Sequence, residues 1–367
     1  MAQEPRTERN PPSDVTQLQV VWRYELLKYL RSKRLLASIA IVIAVLALIY
    51  VLPPVAGSPY RGEETNATVN VSPMNVSFQG ITIVGYGSLK SAEIDLDSLE
   101  LFINGTAYPS SNGANWVFVS SGSVGGMPVS TNTILFTQNV TGDVVTASYE
   151  WHTPVQEFDT LFVNFVSILI VICATFFGAD SIVGEFQNRT GYLMFPNPLR
   201  RSALYFGKYA ASMTAGAAVV VLFYLGVAVL SAVTVGGVDD DFGMSLAFAL
   251  EYLAAVMAIA YLISSILKGS TGALVLTFFM FVMILPIVDS VSMFSGVKMS
   301  ASLTFASNSM IYTMYDPYPQ DEVLSDFGFT IHQFYPDQAL SALVMLAYAV
   351  VAIALSLVLF KRKQLTG

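Results

Sequence analysis

The sequence predicts a polytopic α-helical membrane protein of six transmembrane helices. An amphipathic interfacial helix precedes them, and an all-β, sandwich-like domain is inserted between helices 1 and 2. Three observations carry this prediction. Charged residues are 12% of the 367, where a soluble domain carries roughly 25%. Hydrophobic residues are 54%, and mean hydropathy is +0.59. Six apolar runs are each about long enough to cross a bilayer, and the segment between the first two alternates at the period of β-strands instead.

Residues 1–34 are polar and carry seven bases: Arg6, Arg9, Arg23, Lys28, Arg31, Lys33 and Arg34. Pro11 and Pro12 separate the start from a helix opening near Ser13 or Asp14. Val15, Leu18, Trp22, Leu26 and Tyr29 recur at spacings of three and four, one face of an amphipathic helix, with Arg23 and Lys28 off the stripe. The preferred reading is a helix lying on the inner leaflet; the alternative is an ordinary helix packed on protein. The first apolar run, 35–52, ends at Pro53-Pro54. A polar leader of 34 residues is too long for a typical signal-peptide n-region, so the run reads as an anchor.

Residues 55–158 form the predicted β domain. Short alternating runs such as Glu93-Ile-Asp-Leu-Asp-Ser-Leu-Glu-Leu-Phe-Ile103 are divided by the turn signals Asn104-Gly105, Asn112-Gly113 and Gly125-Gly126. Five Asn-x-Ser/Thr sequons, at Asn66, Asn70, Asn75, Asn104 and Asn139, cluster there, and one more stands at Asn188. The cluster fits an external domain with candidate glycosylation sites.

The other five runs, in the segment 159–367, are 160–179, 205–235, 244–267, 272–288 and 339–360. Six spans place both termini on one side. Fifteen of the 18 Lys and Arg fall on that side, with Arg61, Lys90 and Lys298 across from them. The positive-inside rule makes that side cytosolic, in the plasma membrane. The net charge of -8 therefore divides into a basic inner face and a strongly acidic outer one. The external loop 289–338 has two expected parts: a semi-apolar stretch 300–314, read as a short helix dipping back into the membrane, and a polar surface segment, 316–338.

Signatures of enzymes are absent. One cysteine, Cys173, excludes an internal disulfide and a Cys-rich metal site, and two histidines, His152 and His332, leave little for His-based catalysis. There is no Gly-x-x-x-x-Gly-Lys-Ser/Thr loop, no His-Glu-x-x-His and no Gly-x-Ser-x-Gly. Neither a catalytic residue nor a metal site is assigned, and nothing suggests nucleic acid. Asp239, Asp240 and Asp241 make a poor cation cage without a Gly-turned loop, so a solvated loop is preferred. Glu251 lies about seven residues into the fourth span. A carboxylate at that depth costs about 2.5 kcal/mol or more unless paired, protonated or hydrated. It is either a pathway residue, an acid reaching the headgroups, or half of a structural pair. Pro286 is expected to kink the fifth span. Ala211-x-x-x-Ala215 and Ser212-x-x-x-Gly216 give the third span a small-residue face.

The most informative stretch is the loop 180–204 between the second and third spans. It reads Asp180-Ser-Ile-Val-Gly184-Glu185-Phe-Gln-Asn-Arg189-Thr190-Gly-Tyr-Leu-Met-Phe-Pro196-Asn-Pro198-Leu-Arg200-Arg201 and continues to Gly207-Lys208. Glu185 and Arg189 have the favourable i,i+4 order, so a short helix across the inner membrane surface is expected. This stretch resembles the loop of ABC-2 type transporter permeases, in which Asp-x-Ile-x-Gly-Glu is followed by Gly-Thr, a leucine pair, Pro-x-Ser-Arg and Gly-Lys. Asp180, Gly184, Glu185, Thr190, Pro198, Arg201, Gly207 and Lys208 match at matching spacing. Arg189 stands where the family has glycine, with Gly191 after Thr190, and Arg200 replaces a small hydroxyl residue.

The resemblance implies the membrane subunit of an exporter, which pairs with a second permease subunit and a separate ATPase that binds ATP and Mg. The cofactor would belong to that partner, and the chain itself would hold none. The loop would be a coupling helix docked on the ATPase, carried by Asp180, Gly184, Glu185, Arg189, Thr190, Pro198, Arg201 and Lys208. The external ends of spans five and six would form the outer gate. The competing reading is a membrane-anchored receptor, adhesin or maturation factor whose β domain does the work. Nothing in the spans selects a substrate.

Overall fold

The computed structural model describes residues 13–78, 80–109, 115–120, 122–124, 127–129, 132–187, 200–326 and 329–362. The chain forms two compact units, one made of Val51–Phe158 with Ser231–Gly237 and the other of the remaining helices.

The helical unit opens with α1 (Asp14–Leu30). Ser13 Oγ accepts a hydrogen bond from the Thr16 amide at 3.3 Å, and Asp14 lies in the first turn, both favourable at a helix N-terminus. The face buried against protein is Gln17, Val21, Glu25 and Tyr29, one step round from the expected stripe. Leu18, Trp22 and Leu26 border it half-buried, and Val15 is exposed. Periodicity favoured the most apolar line; the tertiary contact took a mixed one because its polar members find partners. Val20, Tyr24 and Leu27 remain exposed on another face of the same helix.

Six helices, or closely joined helix pairs, are long and apolar enough to cross a membrane. The first is α2 (Lys33–Val55), which runs through Pro53 and Pro54 and ends three residues later than expected. The second is split at Asn164-Phe165 into α3 (Val155–Val163) and α4 (Val166–Phe177). There the Asn164 side-chain amide donates to the Thr160 carbonyl at 2.7 Å. After the short helix α5 (Val183–Gln187) comes α6 (Arg201–Thr234). Its 34 residues span about 51 Å at 1.5 Å each, well beyond the roughly 30 Å of a hydrocarbon core. Next is α7 (Phe242–Ile266), the most enclosed of the six; nearly every residue from Tyr252 to Ser265 is buried, as befits a helix apolar on all sides.

The fifth helix shows what Pro286 does. α8 (Ser270–Phe279) passes into a π-helical turn, Met280–Ile284, and then into α9 (Leu285–Ser295). The Leu285 amide bonds to the Met280 carbonyl, five residues back. Proline has no N–H to donate and its ring crowds the carbonyl four residues earlier, so the wider turn relieves the clash. Gly296 ends α9 at φ 70°, a left-handed conformation suited to glycine. Two short helices, α10 (Leu303–Ser307) and α11 (Ser309–Tyr312), follow and are largely buried in the unit. The segment expected to be plain polar surface contains a hairpin, β12 (Glu322–Asp326) with β13 (Phe329–Gln333). The sixth span is α12 (Gln338–Arg362), with Lys361 and Arg362 in its last turn.

The β-rich unit holds eleven strands among its described residues, here numbered β1 to β11 in chain order ahead of the hairpin above. β1 (Arg61–Val69), β11 (Val145–His152), β5 (Glu100–Ile103) and β6 (Thr106–Ala107) make one antiparallel sheet, with β4 (Glu93–Ile94) also on β11. A second comprises β2 (Val71–Phe78), β3 (Ile81–Ser88), β10 (Thr133–Phe136) and β7 (Trp116–Val119); β8 (Gly122–Val124) and β9 (Met127–Val129) pair as a hairpin. β11 alternates buried and less buried residues. Its Val145, Ala147, Tyr149 and Trp151 pack with Trp116, Ile134 and Phe136 of the second sheet in one core, which is the two-sheet arrangement of a sandwich. Asn104 and Gly105, at φ 50° and 80°, close the β5–β6 hairpin, as a two-residue turn of mirror-image type requires. The turn signals 112–113 and 125–126 lie outside the described residues. The five sequon asparagines are all exposed.

Candidate functional site

The residues at the ends of several helices in the helical unit converge on a polar cluster. The second span ends at Phe177, whose carbonyl has lost its helical partner. Three hydroxyls gather on it: Tyr29 at 2.9 Å, Ser181 at 2.5 Å and Ser212 at 2.9 Å. A carbonyl oxygen has two lone pairs, so one hydroxyl must donate elsewhere; Ser212 lies 2.7 Å from the Tyr261 hydroxyl. Helices α1, α4, α6 and α7 are thereby tied at one point.

Just beyond, Arg34 grips Asp180 with a two-pronged contact, Nη1 to Oδ1 at 2.8 Å and Nη2 to Oδ2 at 2.6 Å. Nη1 also donates to the Phe176 carbonyl at 2.9 Å. The chain then turns into α5, whose opening amides at Ile182 and Val183 donate to Ser264 Oγ at 3.1 and 3.0 Å. A residue of α7 therefore caps the short helix.

Glu185, in the first turn of α5, points inward. Its Oε1 accepts from Lys208 Nζ at 2.8 Å, and the same ammonium donates to Glu25 Oε1 at 2.6 Å. Lys208 and Glu25 expose 4% and 2% of their side chains, Glu185 15%. Lys28, more exposed, lies 3.4 Å from Glu25 and 3.9 Å from Glu185. Two carboxylates and two ammonium groups make these four residues formally neutral, the condition under which buried charges are tolerated. Close approach of α1 to α6 makes this possible: a Cβ on Gly207 would sit 2.7 Å from Val21 Cβ. At Gly184 the nearest atom would be Ser270 Oγ at 3.8 Å, so sterics do not require glycine there.

On the far side of residues 188–199, which lie outside the described residues, the Arg200 amide donates to Gln17 Oε1 at 3.0 Å and its guanidinium to Asp14 at 2.6 Å. Arg201 Nη1 donates to the Lys361 carbonyl at 2.7 Å. Gln187 Oε1 accepts from the Ser270 amide at 2.8 Å. Both flanks of 188–199 are thus fastened to α1 and to the ends of the fifth and sixth spans.

Of the residues singled out from sequence, Asp180, Gly184, Glu185, Arg201 and Lys208 are brought to this end of the helices. Arg189, Thr190 and Pro198 fall outside the described residues. Glu251 stands apart, thirteen residues before Ser264 in α7, or about 20 Å along the axis. It is half-buried, and among the described residues no hydrogen bond or ion pair of its carboxylate is found. Asp239 accepts the Asp241 amide at 2.9 Å, while Asp240 and Asp241 are exposed. Among the described residues no group of three or more His, Cys, Asp or Glu can hold a metal. Sequence reasoning missed Glu25, Tyr29 as a hydrogen-bonding residue, Arg34, Ser212, Tyr261 and Ser264. The one signal for Glu25 is an acid in register with Val21 and Tyr29; its partner lies 183 positions away.

Six helices long and apolar enough to cross a membrane make this the architecture of a multi-pass membrane protein. The model of the family described as ABC-2 family transporter protein matches residues 19–365, and the chain belongs to that family. No curated protein matches the chain.

Proposed function

We propose that the chain is the permease subunit of an ABC-2 exporter, energised by a separate ATPase that docks on the loop 180–201. Both termini are then cytosolic, the β-rich unit is external, and two permease subunits, identical or related, enclose the path. The exposed Val20, Tyr24 and Leu27 of α1 rest on inner-leaflet lipid. The observation that carries this reading is Lys208, buried between Glu25 of α1 and Glu185 of the loop. A docked ATPase can bias the spans only through contacts that differ between two states. Packed charge clusters transmit such a bias because breaking them is costly. Glu185 on this reading braces the loop 180–201 from within.

The test replaces 188–198 with a Gly/Ser segment of equal length, leaving Glu185 and Arg200 in place. Loss of ATPase association with the spans still folded supports docking there; unchanged association contradicts it. Glu251 is proposed as a pathway residue. Glu251→Gln should alter transport with ATPase assembly intact, and unchanged transport removes it from the path.

A further inference from the structure

The β-rich unit leaves two strand edges open. β1 ends the first sheet and β2 ends the second, and among the described residues neither has a strand on its outer side. The two strands join through Asn70 alone, so the open edges meet at that residue. Such edges offer unpaired N–H and C=O groups to another chain, and charged side chains are a common defence. β1 begins with Arg61, Glu63 and Glu64, but no residue from Thr65 to Leu89 is charged, while Glu93, Asp95, Asp97 and Glu100 follow soon after. Val69, Val71, Met74 and Phe78 pack inward on the cores of the unit. Uncharged stretches rich in Val and Thr are the kind that pair with copies of themselves.

Three sequon asparagines stand on this stretch, and two of them occupy bulges. Thr65 and Asn66 together oppose Ser148, and Met74 and Asn75 together oppose Val84. Asn66 has φ 53°, and its amide donates to Ser148 Oγ at 3.1 Å. A bulge bends its strand and re-aims a side chain, and Asn66, Asn70 and Asn75 are all exposed. At about 3.3 Å per residue they stand about 13 and 17 Å apart along the chain. A strand needs several consecutive residues to pair, so a sugar chain on each would interrupt any approach.

We propose that Asn66, Asn70 and Asn75 carry N-linked glycans that cover the open edges of β1 and β2 and stop them pairing with a second copy of this chain. Thr68, Ser72 and Ser77 complete the three sequons. In the transfer, the Asn side-chain nitrogen bonds to the anomeric carbon of a lipid-linked oligosaccharide diphosphate. The bond from that carbon to phosphate oxygen breaks, the lipid diphosphate leaves with the bonding pair, and the amide gives up one proton. The bulky, solvated sugar does at each position what a charge does elsewhere. The proposal rests on the external placement of the β-rich unit, which the test reads separately.

The experiment expresses the full chain in a host that glycosylates external segments. Asp97→Cys supplies an exposed thiol in the same unit, the native Cys173 being buried. A membrane-impermeant maleimide applied to intact cells reads which side that thiol faces. Labelling from outside is expected, with glycan on Asn66, Asn70 and Asn75 by peptide mass spectrometry. The triple variant Asn66→Gln, Asn70→Gln, Asn75→Gln should keep the wild-type melting temperature in detergent yet form larger species by light scattering. Adding Thr68→Lys and Ser77→Lys, both at exposed edge positions, should return it to the wild-type size, which a folding defect would not allow. A labelled thiol with none of the three sites modified overturns the proposal alone. So does a triple variant of unchanged size, or larger species that the lysines leave in place. An unlabelled thiol overturns the external placement, and the proposal falls with it.

Discussion

Lys208 and Glu25 are 183 positions apart in the chain, and their charged atoms are 2.6 Å apart, both side chains almost wholly buried. The pair joins α1 to the extended base of α6, and Glu185 completes it from the loop. Removing the lysine leaves the two carboxylates without the buried ammonium group between them, beside the more exposed Lys28. Lys208→Met should therefore lose about 3–5 kcal/mol, the cost of breaking a buried pair. Combined with Glu25→Gln, it should cost less than the two single changes added together. Equilibrium or thermal unfolding of the four proteins of this cycle measures the coupling. Strict additivity would mean the cluster is not formed.

The two glycines of the loop region should respond differently. Gly207→Ala places a methyl group 2.7 Å from Val21 Cβ, an overlap costing about 1–3 kcal/mol that outweighs the roughly 1 kcal/mol alanine gains in a helix. At Gly184 there is open room, and alanine should be neutral or mildly stabilising. Melting temperatures of the two variants decide the matter.

Asp321 provides a pH signature outside the spans. It accepts from Lys298 at 2.8 Å and from the Tyr335 amide at 2.8 Å. Burial raises its pKa, but the Lys298 hydrogen bond, the Tyr335 amide and the charge of Lys298 together hold the carboxyl below its usual value. A carboxyl with a depressed folded pKa contributes stability that is full above its unfolded value of about 3.9 and is lost as pH falls through the folded value. The group is partly exposed, so the effect should be small and local. Hydrogen exchange at the Tyr335 amide should accelerate, relative to its intrinsic rate, below about pH 4, and Asp321→Asn should abolish that pH dependence.

The sequons separate by geometry. Asn104 is held at both ends, its amide donating to Asp143 at 2.9 Å and its carbonyl accepting from Val144 at 3.1 Å. Asn66, Asn70 and Asn75 are exposed and lack such a clamp on both ends among the described residues. In a host that glycosylates external segments, these three should be modified ahead of Asn104. Mass spectrometry of the β-rich unit reads this, and it reads the orientation too: complete absence of modification at all five would count against an external location.

The helices were the legible part of the fold, because a bilayer-length apolar run has few alternatives. The strands and the Asn104-Gly105 turn were readable for the same local reason, in period and turn chemistry. What was not legible depends on contacts across the chain. The buried face of α1 contains Gln17 and Glu25, which look like surface residues until Arg200 and Lys208 are brought beside them. The π-helical turn follows from Pro286 yet begins six residues before it. The β12–β13 hairpin is hard to read because the surrounding prolines and aromatics mark loop more strongly than its short alternating runs mark strand. At the candidate site, motif spacing locates Glu185 and Lys208; Tyr29 is legible as a member of the apolar stripe of α1 but not as a hydrogen-bonding residue, and Arg34 and Ser264 carry no pattern of their own.

The central claim is that this chain is driven by an ATPase bound at the loop after the second span. Its most direct test is purification of the tagged chain from its native membrane, with ATP hydrolysis measured on the isolated complex, for wild type and for the chain with 188–198 replaced. The account predicts an ATPase that co-purifies with wild type, hydrolyses ATP and is lost from the replaced chain while the helices keep their melting temperature. A stable wild-type protein carrying no ATPase, or one whose ATPase stays bound after the replacement, would contradict it.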